Sequence, residues 1–171
     1  MTPYDLARED RGTDEIIADF TVDDLPWSGG RKLYQWWLDA CGDRPFPSRR
    51  DFSPAVMGSD LQTMVLHDVE AGTPRFRIRL AGTEVADLLG RDPTGKTIYD
   101  FPNAEKMAAR YEWLLQHRRG YHCRRLPLRW AGKQLLHYET VVLPLGRDGV
   151  IDMLIANIAV TRTEPRPAPS L

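Results

Sequence analysis

In the stretch VIDMLIANIAV, residues 150–160, both alternating sets of side chains are apolar. Val150, Leu154, Ala156, Ile158 and Val160 fall on one face, and Ile151, Met153, Ile155 and Ala159 on the other. Successive side chains of an extended strand point to opposite sides. A strand with no polar side must therefore be covered on both faces. One face has to meet the domain interior, and the other has to lie under a helix.

A helix of the right kind is present in RKLYQWWLDACG, residues 31–42. Leu33, Trp36, Trp37 and Ala40 recur at i, i+3, i+4 and i+7, an amphipathic pattern that Gly42 stops. The cover comes either from the same chain or from a second copy. In the second case Leu33, Trp36 and Trp37 form the interface of a homodimer.

Elsewhere the period switches between two and 3.6. In Arg75 to Leu80 the residues Phe76, Ile78 and Leu80 share one face and Arg75, Arg77 and Arg79 the other, which is a half-buried strand. Met64 to Glu70 reads as its partner, with Ala71-Gly72-Thr73-Pro74 as the turn. Thr83 as N-cap opens a short helix through Val85, Leu88 and Leu89 that Gly90 closes. Ser53-Pro54 opens another, through about Leu61. Asn103 to His117 is expected to be the longest helix, with Met107, Tyr111, Leu114 and Leu115 on one face and Gly120 as its end. Three strands follow, Tyr121 to Trp130, Gln134 to Leu145 and Val150 to Val160, joined by the hairpin turns AGK and GRDG.

With 171 residues and 42% hydrophobic content, the chain suits one globular domain. Gly29-Gly30 marks a joint, so that residues 1–28 form an N-terminal arm, 29–162 the domain and the Pro-rich 163–171 a disordered tail. The net charge of −1 hides an asymmetry. Residues 1–24 carry Asp5, Glu9, Asp10, Asp14, Glu15, Asp19, Asp23 and Asp24 against Arg8 and Arg11. Trp113 to Tyr138 carries Arg118, Arg119, Arg124, Arg125, Arg129 and Lys133 with no acid. Such asymmetry steers partners.

The order of elements, taken with RLAGTEVADLLGRDPTGKTI, residues 79–98, resembles the PAS family of sensory and interaction domains. Leu88-Leu89-Gly90-Arg91 and Thr94-Gly95-Lys96 stand where that family has a short helix ending in LLG and a Gly-Lys turn, ahead of the connecting helix and a three-strand meander. The aromatic opening helix and the RFRIRLAGT strand are most similar to small, stand-alone bacterial members, over Leu33 to Thr161. The resemblance implies an α+β fold: a five-stranded antiparallel sheet, short helices, one long connecting helix and an N-terminal helix packed on the sheet. It also puts the second hairpin strand at one edge and the first meander strand at the other. Arg75, Arg77 and Arg79 would then line one edge and Arg125 and Arg129 the opposite one, where outward charge discourages edge-to-edge pairing. The alternative is a surface for an anion or an acidic partner, filled by the chain's own arm. No aromatic residues interleave with these basic ones, so a nucleic-acid platform is not expected.

Between sheet and helices a cavity is expected, lined by Phe76, Ile78, Leu80, Tyr111, Leu115 and one face of the meander. His137, Tyr138 and Asn157 would orient a ligand if their register points inward. A filled core is the competing expectation.

Dedicated chemistry is not legible. Cys41 and Cys123 lack a CxxC context and read as buried thiols. His122 neighbours Cys123, yet adjacent strand residues point apart and cannot share a proton. His67, His117, His122 and His137 show no ligand spacing. His117 closes the long helix, where haem-binding members of the resembled family place a ligand; interaction with the helix dipole accounts for it equally. The Asn-Cys-Arg motif that covalent flavin needs is missing. Neither haem nor covalent flavin is expected, no metal site is expected, and the cofactor is unknown. No apolar window reaches the ~18 residues of a membrane span and no signal peptide opens the chain, so a cytoplasmic location with no membrane partner is expected.

The function expected is that of a sensory or protein-interaction module in bacterial signalling, not an enzyme and without an attached output domain. It would bind a small ligand or a signalling protein and form a homodimer. A small enzyme using the same cavity and a ligand-free structural adaptor are the alternatives.

Overall fold

The computed structural model of the protein describes residues 13, 15–72 and 75–162. The first half of the acidic arm, Asp14, the turn residues Thr73 and Pro74 and the Pro-rich tail lie outside the described residues, and with them the expectations placed there.

Five antiparallel strands form one sheet: β1 Met64–Val69, β2 Phe76–Ala81, β3 Tyr121–Leu128, β4 Lys133–Arg147 and β5 Val150–Arg162. Their order is β2-β1-β5-β4-β3, so β2 and β3 are the edges, as expected. The helices are α1 Ser28–Cys41, α2 Thr83–Leu89 and α3 Glu105–His117. Short 3-10 turns, among them Pro54–Val56 and Gly58–Thr63, join them where a single α-helix from Ser53 was expected. At 14 residues α1 is longer than α3 at 13, and α3 ends at Arg118 in the left-handed region (φ 56°) before Gly120 is reached. Gly82, not Thr83, occupies the N-cap of α2.

The strand β5 lies between β1 and β4 and is covered on both faces. On the inner face Leu154, Ala156 and Ile158 pack with Phe76, Tyr111, Leu114 and Tyr121 under α2 and α3. On the outer face Met153 and Ile155 pack with Val141, Leu143 and Leu145 against Leu33 of α1. A bulge changes the alternation near the start of the strand. Leu145 pairs with Met153 and Gly146 with Ile151, which leaves Asp152 as the extra residue. Ile151 therefore joins the inner cluster, and Val150 is exposed.

The cover over the outer face is α1 of the same chain. Leu33 is fully buried there, Trp36 meets Phe52 edge-on with ring centroids 4.9 Å apart, and the Trp37 indole donates to the Pro144 carbonyl at 2.8 Å. Leu33 cannot face a second copy while the helix is docked. The Gly29-Gly30 pair is the first turn of α1 and not a joint before it. The Trp27 indole donates to Asn157 Oδ1 at 2.8 Å, and Asn157 Nδ2 donates to the Asp60 carbonyl and Thr63 Oγ1 at 3.1 Å each. The helix can come this close to β5 because position 29 has no Cβ. Trp37→Phe removes one hydrogen bond and part of the ring packed on the outer cluster, so it should cost about 1–3 kcal/mol in urea unfolding without altering the backbone fold.

Edge strand β2 carries a second bulge, with Leu66 opposite Leu80 and His67 opposite Ile78 and Arg79 extra. The phase flips there, so Ala81 turns inward and Leu80 lies 46% exposed, contrary to the simple alternation. The arginines of this edge are paired, Arg75 with Glu112, Arg77 with Glu70 and Arg79 with Asp68. The described part of the arm runs along the other edge. Ile17 exchanges two backbone hydrogen bonds with His122 of β3, at 2.8 and 2.9 Å, and Arg119 holds the Ala18 carbonyl and the Asp19 carboxylate. Ile16 packs on the inner cluster and Phe20 on the outer one, so the arm straddles the sheet edge.

Candidate functional site

Between the inner face of the sheet and α2, α3 and the turn Ile98–Asp100 lies a cavity of about 60 Å3. One wall is aliphatic, from Val65, Ile78, Val85, Ile98, Ala156 and Ile158. The lining also includes His67, Arg110, Tyr111, Tyr121, Tyr138 and Thr140, although the surface presented to the cavity is mainly apolar. Strand parity explains their presence: His67 shares the inward phase of Val65, as Thr140 and Tyr138 share that of Val142. Arg110 reaches the cavity from α3, one turn beyond Met107.

His67 is 4% exposed, its Nδ1 is buried without a hydrogen-bond partner, and its ring meets Tyr111 edge-on at 5.0 Å. Burial alone lowers its pKa from 6.5 to about 4, so the imidazole is neutral near pH 7. Burial likewise raises the phenols of Tyr111, Tyr121 and Tyr138 above their ordinary 10, and they stay protonated. Arg110 is 5% exposed. Burial works against its charge, but the acidic groups around it, Tyr138, Tyr121, Cys123 and Glu15, raise its pKa as they ionise, and near pH 7 Glu15 is the ionised one among these four. Its Nη2 donates to Tyr138 Oη and its Nη1 to Glu15 Oε2, both at 3.4 Å. A smaller polar cleft adjoins the cavity across Met107, Arg110, Trp130 and Tyr138, and Glu15 lines it together with Lys106 and Arg129.

Of the residues expected to bind a ligand, Ile78, Tyr111 and Tyr138 line the cavity. Phe76 lies behind it, fully buried against the Tyr111 ring at 5.2 Å. Leu115 packs on the inner cluster without lining the cavity, Leu80 points outward, and His137 has the phase opposite to Tyr138. Asn157 sits on the outer face beneath α1. Its parity is that of Ile155, which makes it a fastening for the helix and removes it from the ligand wall. Arg110 and His67 were missed as site residues. A cation inside the stripe Met107, Arg110, Leu114 was the sequence signal for the first, and the shared parity of Val65 and His67 for the second.

Other candidate groups lie elsewhere. Cys123 is fully buried with its pKa pushed up to about 12 by burial, so it is a poor nucleophile. Cys41 is half-buried at the end of α1. His122 faces the outer side, between Trp27 and Phe20 and 3.4 Å from Glu139, on the face opposite Cys123 as expected. His117 is exposed, stacked on Trp113 at 4.3 Å, and its Nδ1 lies 2.9 Å from the Trp113 carbonyl. Among the described residues no three His, Cys, Asp or Glu side chains converge on a metal position. No helix among them is long and apolar enough to cross a membrane.

The sequence profile of the PAS domain matches residues 27–152. No curated protein matches the chain. Among solved structures, a PAS-B domain of the Drosophila melanogaster Cycle protein, a tryptophan-to-alanine variant with bound glycerol, matches at 15% identity with a TM-score of 0.43. That match covers 57% of this chain and 98% of the other.

Proposed function

The chain belongs to the PAS domain family, and from that premise we propose that it is a sensor whose cavity takes a small ligand and whose output is a contact with a protein partner or a second copy. PAS domains are in general sensory or interaction modules and not enzymes. The observation that carries the ligand reading is His67, a residue of the cavity lining whose buried Nδ1 has no hydrogen-bond partner. A filled structural core gains nothing from such a group, because an unsatisfied buried polar atom costs about 1–3 kcal/mol. Small bound molecules satisfy atoms of this kind.

The output surface on this reading is the outward side of α1 and the neighbouring turn, where Val56 is 40% exposed beside Trp36. A homodimer of this design uses that side, since Leu33 and the Trp37 indole are occupied within the chain.

Native mass spectrometry of the gently purified protein tests both halves of the proposal. The expected result is a species heavier than the chain that releases a small mass on denaturation. A clean chain mass that no small molecule raises would defeat the sensor reading and favour the adaptor. A strictly monomeric species at tens of micromolar would remove the second copy as the partner.

A further inference from the structure

We propose that the cavity takes a small uncharged molecule made mostly of hydrocarbon, a short-chain alcohol in its simplest form, whose one hydroxyl meets the imidazole of His67. This inference rests on the ligand-binding reading and names the ligand class.

The class follows from what surrounds His67. Its cross-strand neighbours are Ile78 of β2 and Leu154 of β5, and Val65 precedes it on the same face of β1. The Tyr111 ring of α3 lies edge-on to it, with centroids 5.0 Å apart. The imidazole is thus a polar island among apolar side chains. Thr140 and Tyr138 belong to β4, on the far side of β5, and pair there with Ile158 and Val160, whereas His67 pairs with Leu154. Arg110 is already engaged, by Tyr138 and Glu15 among others. A ligand seated at His67 therefore has a mainly apolar surface around it and one unsatisfied nitrogen beside it, the buried Nδ1.

Such a surface selects against charge. An ion taken into it gives up its hydration, and a second hydroxyl on the ligand would exchange water for hydrocarbon. A single hydroxyl suits His67 in particular. It both donates and accepts, and so serves either tautomer of the neutral ring.

Size follows from volume. If each non-hydrogen atom takes the ~10–15 Å3 that a water needs in such a space, the cavity of about 60 Å3 holds about four to six atoms. The hydroxyl oxygen is one of them, which leaves about three to five carbons to lie on Val65, Ile78, Ala156 and Ile158. Within that limit each added methylene should tighten binding about fourfold.

The test is titration of the full-length protein with ethanol, 1-butanol, 1-butanethiol, 1,4-butanediol and butyrate, read by calorimetry and by the nitrogen resonances of the His67 ring. 1-Butanol should bind saturably, about tenfold or more tighter than ethanol, and at least ~tenfold tighter than the diol or butyrate. The thiol has the same carbon chain and is a weak hydrogen-bonding group, so 1-butanol should move the Nδ1 resonance far more than 1-butanethiol does. His67→Phe should lower the ratio of alcohol to thiol affinity about fivefold or more, whereas a mere change of cavity shape would move both affinities together. Should that variant not fold, the Nδ1 resonance of the wild type decides alone. A ratio unchanged by His67→Phe, or an Nδ1 resonance that 1-butanol leaves in place, would overturn the proposal. Butyrate or the diol binding as tightly as 1-butanol would overturn the ligand class and leave the sensor reading standing. Failure of all five probes beside a retained small mass in the native spectrum would do the same, and their failure together with a clean native mass would remove both.

Discussion

Gly29→Ala is expected to lower the unfolding free energy by about 2 kcal/mol or more, although helix propensity alone favours alanine by ~1 kcal/mol. The two arguments predict opposite signs, so the experiment discriminates between them. The Cβ of an alanine would fall 2.8 Å from Asn157 Cγ and closer still to Oδ1, nearer than real Cβ atoms come. Asn157 cannot retreat without breaking its bonds to Trp27, Asp60 and Thr63, each worth about 1 kcal/mol. Either α1 lifts or the network fails. Urea unfolding measures the cost, and a double-mutant cycle with Asn157→Ala isolates its origin. The double variant should be destabilised by clearly less than the sum of the singles. Additive costs would mean that position 29 acts through the helix alone and that the close contact is immaterial.

Acid should weaken the protein well above the range in which its carboxylates titrate. His67 carries a folded pKa of about 4 against 6.5 when exposed. Both states hold it neutral above pH 6.5, so the stability is full there. As the pH falls from 6.5 towards 4 the unfolded state takes up the proton first, and about 3 kcal/mol is lost across that window. His122 is also lowered, chiefly by burial, and adds in the same direction. Asp24, Asp51, Asp60, Asp92 and Asp100 are lowered from 3.8 by hydrogen bonds, and their contribution disappears only below that pH. The two regimes separate cleanly. In His67→Phe, which retains the ring contact with Tyr111, the slope between pH 6.5 and 4 should shrink to what His122 supplies. Parallel stability profiles for the wild type and this variant would show that His67 is solvated in the folded protein and does not face a closed cavity.

Most of the architecture was legible because it follows from periodicity. The two-faced apolar run of β5 required a cover, the Trp36-Trp37 stripe supplied one, and hairpin turns ordered the meander. What sequence could not show was phase. A bulge at Arg79 or Asp152 inserts one residue into a ladder, and nothing in the letters announces it; every side chain beyond it changes face. That is why Leu80 and Ile151 stand on the sides opposite to those expected. The site was harder to see than the fold for a related reason. Asn157 looked like a ligand group because it interrupts an apolar strand, but its parity with Ile155 sends it to the helix side. Arg110 carries no motif, and only its place on the stripe of Met107 and Leu114 sets it in the core. Whether α1 covered its own sheet or a neighbour's was open in the sequence, because Gly29-Gly30 reads as a hinge as readily as a close approach.

The sheet also divides the molecule's capacity to vary. The buried apolar side chains above it and below it form two separate clusters, so substitutions around the cavity and substitutions beneath α1 should combine additively, and each compartment can be remodelled while the other is held constant. The arm is the exception, since Ile16 belongs to one compartment and Phe20 to the other. A lineage could therefore change what is sensed without changing what is contacted, and the few residues wrapped over the β3 edge are where the two histories would have to remain in step.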